Sequence, residues 1–202
     1  MVTWQFELCS QLPQVSPTVD TTHEEDDVKG QPATSAHWED CVMATSIFAR
    51  IGTIRGESQD AKHRDEIDVL SWAWGVSRSG TAGHGAGGGV GKASFHDFTF
   101  THHVDKASPL LMKACATGHH ISDATITVRK PGKGLQEYLI VTMTDILVAS
   151  VSMSVDADAG STIEDVVLAF AKVDLEYKPQ KTDGSLDAGL HFTYDLKAQK
   201  EG

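Results

Sequence analysis

Positive charge is scarce in this chain of 202 residues: Lys and Arg total 17 against 28 Asp and Glu, for a net charge of -11. An acidic chain without a basic stripe argues against nucleic acid and anionic membrane surfaces as partners. Cysteine is scarce too. Cys9, Cys41 and Cys115 form no C-x-x-C pair, which suggests synthesis in a reducing compartment with Cys115 as a small core residue. The opening MVTWQFELCSQ has neither a basic start nor an apolar run of signal-peptide length, so no conventional secretory signal is expected. The most apolar stretch, Leu139 to Val155, is interrupted by Asp145. Its Ser150, Ser152 and Ser154 alternate with Val151, Met153 and Val155, which is the pattern of a strand and not of a membrane span.

What charge there is lies unevenly. Residues 1–42 hold eight acids, among them the run Glu24 to Asp27, against the single Lys29. That is a net of -7, leaving -4 of the total -11 for the other 160 residues. With Pro13, Pro17 and Pro32 and little periodicity, residues 1–42 read as an acidic, disordered or weakly ordered N-terminal extension. Met43-Ala44 has the look of a second natural start, so the extension is either a real arm or the product of an over-long reading frame. Residues 43–202 form the expected globular domain, long enough to bury roughly 70% of its extended-chain surface.

That domain reads as strands. Ile47, Ala49 and Ile51 alternate, and Leu70, Trp72, Trp74 and Val76 point one way while Ser71, Ala73 and Gly75 point the other. Ile67 and Val69 are out of phase with Leu70, which predicts a bulge near Val69. Further strands are expected at 93–101, 124–130, 137–155, 162–177 and 190–196, giving a mainly β barrel or sandwich. One helix interrupts them, with Ser108 as N-cap, Pro109 in the first turn, Gly118 as the stop, and Leu111, Ala114 and Cys115 on one face.

The glycine-rich stretch after Trp74 has two readings, a phosphate cradle or a pliable contact arm. Gly83, Gly85 and Gly88 match G-x-G-x-x-G, yet they precede another strand, KASFHDFTFT, where the fingerprint requires a helix. A phosphate-binding loop of the G-x-x-x-x-G-K-[ST] type fails at Ala86 and Ala93. A flexible strand-connecting loop is the better reading. Ten histidines invite a metal, but His102-His103 and His119-His120 are adjacent and diverge on a strand, and no zinc spacing occurs. G-x-S-x-G is missing, since the nearest window ends in Ser79. The acid clusters Asp65-Glu66-Asp68 and Glu164-Asp165 read as solvated. No catalytic, metal or cofactor-binding residue is therefore expected. A small histidine-rich β-barrel hydrolase or metal-binding protein remains the alternative. The smooth, nearly uncharged face of Ser71 and Ala73 suits a close-packed neighbour or the wall of a channel, set against a plain exposed sheet face.

Several blocks in order, IFARIGTIRGESQD, DEIDVLSWAWGVSRSG, FTFTHHVDKASPLLMKACATG, ATITVRKPGKGLQEYLIVTMTDILVASVS and VDLEYKPQKTDG, resemble the haemolysin-coregulated protein (Hcp) family of bacterial type VI secretion systems. The likeness runs from about Met43 to Gly184. It implies a β-barrel of two antiparallel sheets with one flanking α-helix, similar to phage tail-tube proteins. Members form hexameric rings that stack into the inner tube of a contractile machine, capped by a trimeric spike and surrounded by a sheath, and carry small effector proteins in the lumen. The resemblance implies no catalysis, a cytoplasmic protein before firing, and secretion through the system without a cleaved signal peptide. On this reading Ser71 and Ala73 face the lumen, and Gly80, Gly83, Gly85, Gly87, Gly88, Gly89 and Gly91 belong to a loop at ring or subunit contacts. The acidic extension departs from the family pattern, and no motif defines cargo choice.

Overall fold

The computed structural model describes residues 45–80, 90–130, 135–156 and 160–201. The acidic extension lies outside these residues, as do Gly83, Gly85, Gly87, Gly88 and Gly89. In chain order the elements are β1 (Ser46–Ile51), β2 (Ile67–Ala73), β3 (Val76–Gly80), β4 (Val90–Phe95), β5 (Phe98–His103), α1 (Ser108–Thr117), β6 (His120–Lys130), β7 (Gln136–Asp156), β8 (Ser161–Ala169), β9 (Lys172–Tyr177), β10 (Leu190–Asp195) and β11 (Lys200–Glu201). All the strand pairings are antiparallel.

Six strands close into a barrel in the order β7-β6-β1-β2-β5-β8, because β8 returns to pair with β7. The fold is thus the expected mainly β barrel with one helix. Closure rests on the length of β7. Along one edge its residues 136–147 pair with β6; along the other, Leu139–Thr144 pair with β9 and Leu147–Asp156 with β8. Burial along β7 changes phase at Asp145, which has a positive φ of 54°. Val141 and Met143 point inward before it, Ile146 and Val148 after it. The chain opposite breaks at the same level, at Phe170-Ala171, so the single strand expected over 162–177 is two. β9, β10 and β11 continue beyond β7 as a wing, and β3 and β4 form a separate hairpin.

The barrel interior follows from period-2 alternation. Ala49 and Ile51, Ile67 and Val69, Phe98 and Phe100, Ile126, Val166 and Leu168 are buried, and Leu111 and Ala114 of α1 complete the same cluster. The bulge expected near Val69 is present: the β2–β5 register shifts between Val69 and Ser71. The bulge also turns Leu70 outward. Leu70 is 49% exposed and Val76 52% exposed, so of the four bulky residues expected to point one way only Trp72 and Trp74 pack against the core. The strand also stops at Ala73, and Val76 starts the hairpin in another sheet.

The helix starts differently from expectation. Ser108 is its first residue and is buried. Its Oγ accepts the Asp105 N–H at 3.2 Å while the Asp105 carboxylate accepts the Ala107 N–H at 2.8 Å. The N-cap position is held by Ala107, which has no side-chain cap, and the reciprocal Asp105–Ser108 arrangement fixes the turn just before the helix. Gly118 ends the helix as expected, in the left-handed region at φ 62°.

The long β1–β2 connection is held by polar contacts instead of a strand. Gly56 is required there, since a Cβ would lie 2.3 Å from the Glu66 carbonyl oxygen. The buried Arg129 of β6 donates to both carboxylate oxygens of Asp60, at 2.9 and 2.6 Å, and its guanidinium sits 4.8 Å from the Phe48 ring centre. His63 stacks on the same Phe48 ring at 4.3 Å. The Arg129 hydrogen bond, with help from the Lys62 and His63 amides, holds the Asp60 carboxyl below the usual carboxylate range.

Removing that carboxylate leaves a buried guanidinium without its partner, which costs about 3 kcal/mol. Asp60→Asn is expected to lower unfolding stability by that order in urea titration. Because folding depresses the Asp60 pKa, its contribution is complete above the unfolded value of about 3.9 and is lost as pH falls below it. The variant should therefore show a shallower loss of stability below about pH 4 than the parent; equal slopes would remove Asp60 from the acid response.

Candidate functional site

The outward side chains of β2, β5, β8 and β7 form two cross-strand rows. Ser71 pairs with Thr101, Thr101 with Asp165 and Asp165 with Ser152; in the next row Ala73 pairs with Thr99, Thr99 with Val167 and Val167 with Ser150. Alternation makes these residues share one face, because the intervening Phe100, Val166 and Leu168 point into the barrel. Ser71, Ala73 and Ser152 are exposed, and the others are half-buried. The result is a broad, shallow surface of small and hydroxyl side chains. Asp165 is its one carboxylate in these rows, and accepts a 2.5 Å hydrogen bond from the Thr101 hydroxyl.

This wall contains both residues that strand parity singled out. Thr99, Thr101, Ser150 and Ser152 were missed because cross-strand register is not visible in one strand. The signal available was the Ser150, Ser152, Ser154 alternation, read only as a strand pattern. Gly75 sits at the break between β2 and β3, where its carbonyl accepts the His96 N–H at 3.0 Å. Of the glycine loop, Gly80 closes β3 opposite Val90, and Gly91 lies in β4.

Beside the hairpin the aromatic side chains gather. Trp74 stacks on Phe95 and meets Phe170 edge-on, and Phe95 stacks on Tyr194 at 4.5 Å. Val76, Phe95, Phe192 and Tyr194 line a groove of about 330 Å3 between the hairpin and the wing. Val76 and Phe192 both remain exposed there, so an apolar edge faces outward.

The histidines occupy separate places. His102 is buried between β5 and β8, with Nε2 2.9 Å from Glu164 Oε2 and Nδ1 4.0 Å from Asp105 Oδ1. Ser108 lies at the end of this chain of groups, but its hydroxyl is occupied by the Asp105 amide. His102, Glu164 and Ser108 have no exposed surface. A buried, enclosed pair of this kind ties β5 to β8; it offers no path for a substrate to reach the hydroxyl. His120 and His191 are on the surface, paired with Asp145 at 2.9 Å and with Asp174 at 3.1 Å. Among the described residues no three His, Cys, Asp or Glu side chains are grouped to hold a metal ion.

A family model described as "Type VI secretion system effector, Hcp" matches residues 48–177. The chain is 47% identical over 148 residues to "Protein hcp1" of Pseudomonas aeruginosa, covering 73% of this chain and 91% of that protein. Among solved structures it is similar to Hcp1 from Salmonella typhimurium, with TM-score 0.64 and 39% identity, over 79% of this chain and all of that one. A structure titled as a type six secretion system protein shares the fold at TM-score 0.75 and 25% identity, again over 79% of this chain and all of its own. The barrel with its helix agrees with these matches, and the chain belongs to the Hcp family of type VI secretion systems.

Proposed function

We propose that this chain is a structural subunit of the type VI secretion inner tube, without catalytic activity of its own. Hexameric rings of it stack into the tube, with a trimeric spike protein at the tip and a contractile sheath around it. The observation that carries the reading, beside the family, is the wall built on Ser71, Ala73, Thr99, Thr101, Ser150 and Ser152. A lumen has to hold a cargo and also release it. Short hydroxyl side chains offer hydrogen bonds without deep pockets or dense charge, so contact is broad and each part of it is weak.

The exposed Val76–Phe192 groove beside the hairpin supports a neighbouring copy at that edge, since apolar side chains gathered in one place favour burial. Gly80 of β3 and Gly91 of β4 flank the glycine stretch that is assigned to ring or subunit contact. The protein resides in the cytoplasm before firing and leaves through the secretion system with small effector proteins.

Light scattering and negative-stain electron microscopy test the assembly. Six copies of 21.7 kDa give a particle of about 130 kDa with a central hole; a monomer at high micromolar concentration would refute the ring. Ala73→Arg should leave that particle intact and reduce co-purification of an effector at least tenfold. Loss of the ring instead would move Ala73 from the lumen to an interface. Trimming the Gly83 to Gly89 stretch should impair stacking and secretion while leaving the melting temperature nearly unchanged, because loop length contributes little to stability. A large fall in melting temperature with normal stacking contradicts the contact role.

A further inference from the structure

A second surface lies at the end of the barrel where β1 finishes and β6 begins. There a groove of about 620 Å3 runs between α1 and the turn after β1, bordered by the start of β6. Leu110, Lys113 and Thr117 recur at helical spacing along one bank; Ile54, Ala114 and Ile121 give an apolar floor; His119 and His120 form the far bank. In a chain of net charge -11, this groove is lined by no carboxylate at all. Lys113, His119 and His120 are its ionisable side chains.

Two acids that touch the lining are already paired with cations. Asp123, one residue beyond the lining, pairs with Arg50 at 2.8 Å, and hydrogen bonds from Ser122 and Arg50 hold its carboxyl below the ordinary value. Asp145 pairs with Lys197 and with His120, which lower its carboxyl in the same way. Lys113 has no carboxylate partner among the described residues. At the C-terminal end of α1 the Gly118 N–H donates to the Cys115 carbonyl and the His119 N–H to that of Ala114, which pairs two of the four carbonyls the helix end leaves open.

We propose that this groove docks an acidic amphipathic segment of a partner protein. Its carboxylates would meet Lys113 and His119, and one apolar side chain would seat on Leu110, Ile54 and Ile121. The charge complementarity selects an acidic partner, and the apolar floor with exposed Leu110 selects a protein segment over a small anion. This surface does not involve the hydroxyl wall, and its use does not depend on cargo passing there.

The test uses the full chain and a 15-residue helical peptide with a Glu face and a Leu face, beside versions carrying Lys or Gln in place of Glu. Water-soluble carbodiimide joins a peptide carboxylate to a lysine amine as an amide with loss of water, and peptide mapping locates the link. Lys113 is expected to couple at least tenfold more than Lys106 and Lys172, whose amines are paired with Asp65 and Asp195. Binding should weaken at least tenfold in the Lys113→Glu, His119→Glu double variant, and in the Lys and Gln peptides against the parent. Both positions are exposed, so the melting temperature should stay within a few degrees. Even coupling across the lysines overturns the proposal, as does a Gln peptide that binds equally or inorganic phosphate that displaces the peptide at matched ionic strength. A link from Lys113 to a second copy of this chain, formed in preference to the peptide, assigns the groove to self-association instead.

Discussion

Closure of the barrel depends on one long strand. At about 3.3 Å per residue β7 is long enough to serve two different neighbours on the same edge. It bonds β9 over its first half and β8 over its second, while β6 occupies the opposite edge. A strand with uniform alternation could not do this and still keep apolar residues inside. Asp145 solves the phase problem by entering the left-handed region, an excursion that costs an ordinary residue about 1–2 kcal/mol and is most tolerable in Asp and Asn. Its carboxylate is fixed by His120 and Lys197, so the residue that breaks the alternation also ties β6 and the turn after β10 to β7.

With closure secured, alternation gives the barrel an inside and an outside at every strand. On β5 the rule is clean: Phe98, Phe100 and His102 point in, Thr99 and Thr101 out. Threonine suits the outward positions because its branched Cβ favours the strand while its hydroxyl keeps the surface polar. The buried polar groups are compensated across large sequence distances. Glu164 meets His102, and Asp60 meets Arg129. Each pair joins two elements that share no turn, so removing one member would leave a buried polar or charged group without its partner.

The same distances explain which features were legible in the sequence. The helix stop at Gly118, the bulge beside Val69 and the continuity of β7 each depend on residues within one stretch of chain. They could be read locally. The Arg129–Asp60 and His102–Glu164 pairs span 69 and 62 residues, and neither pattern nor spacing announces them. Leu70 and Val76 were misplaced for a related reason. The bulge that was foreseen also turns Leu70 outward, and Val76 leaves the barrel for the hairpin. The division of 162–177 into two strands falls level with Asp145 in the neighbouring strand, far away in sequence. Ser71 and Ala73 were visible as a small face, but the wall around them exists only once four strands are in register.

The strand order has a further consequence for how surfaces can be used together. In the ring β7-β6-β1-β2-β5-β8, the strands β6 and β1 stand across the barrel from β5 and β8. The hydroxyl rows cover the β5–β8 side, whereas the groove lies where β1 ends and β6 begins. A partner seated in the groove therefore leaves the hydroxyl wall uncovered, and molecules meeting that wall do not reach Lys113 or His119. The two surfaces also differ in what they select. One is short, polar and nearly uncharged, which suits many partners weakly; the other sets Lys113 and two histidines around an apolar floor, which favours a narrower class of ligand.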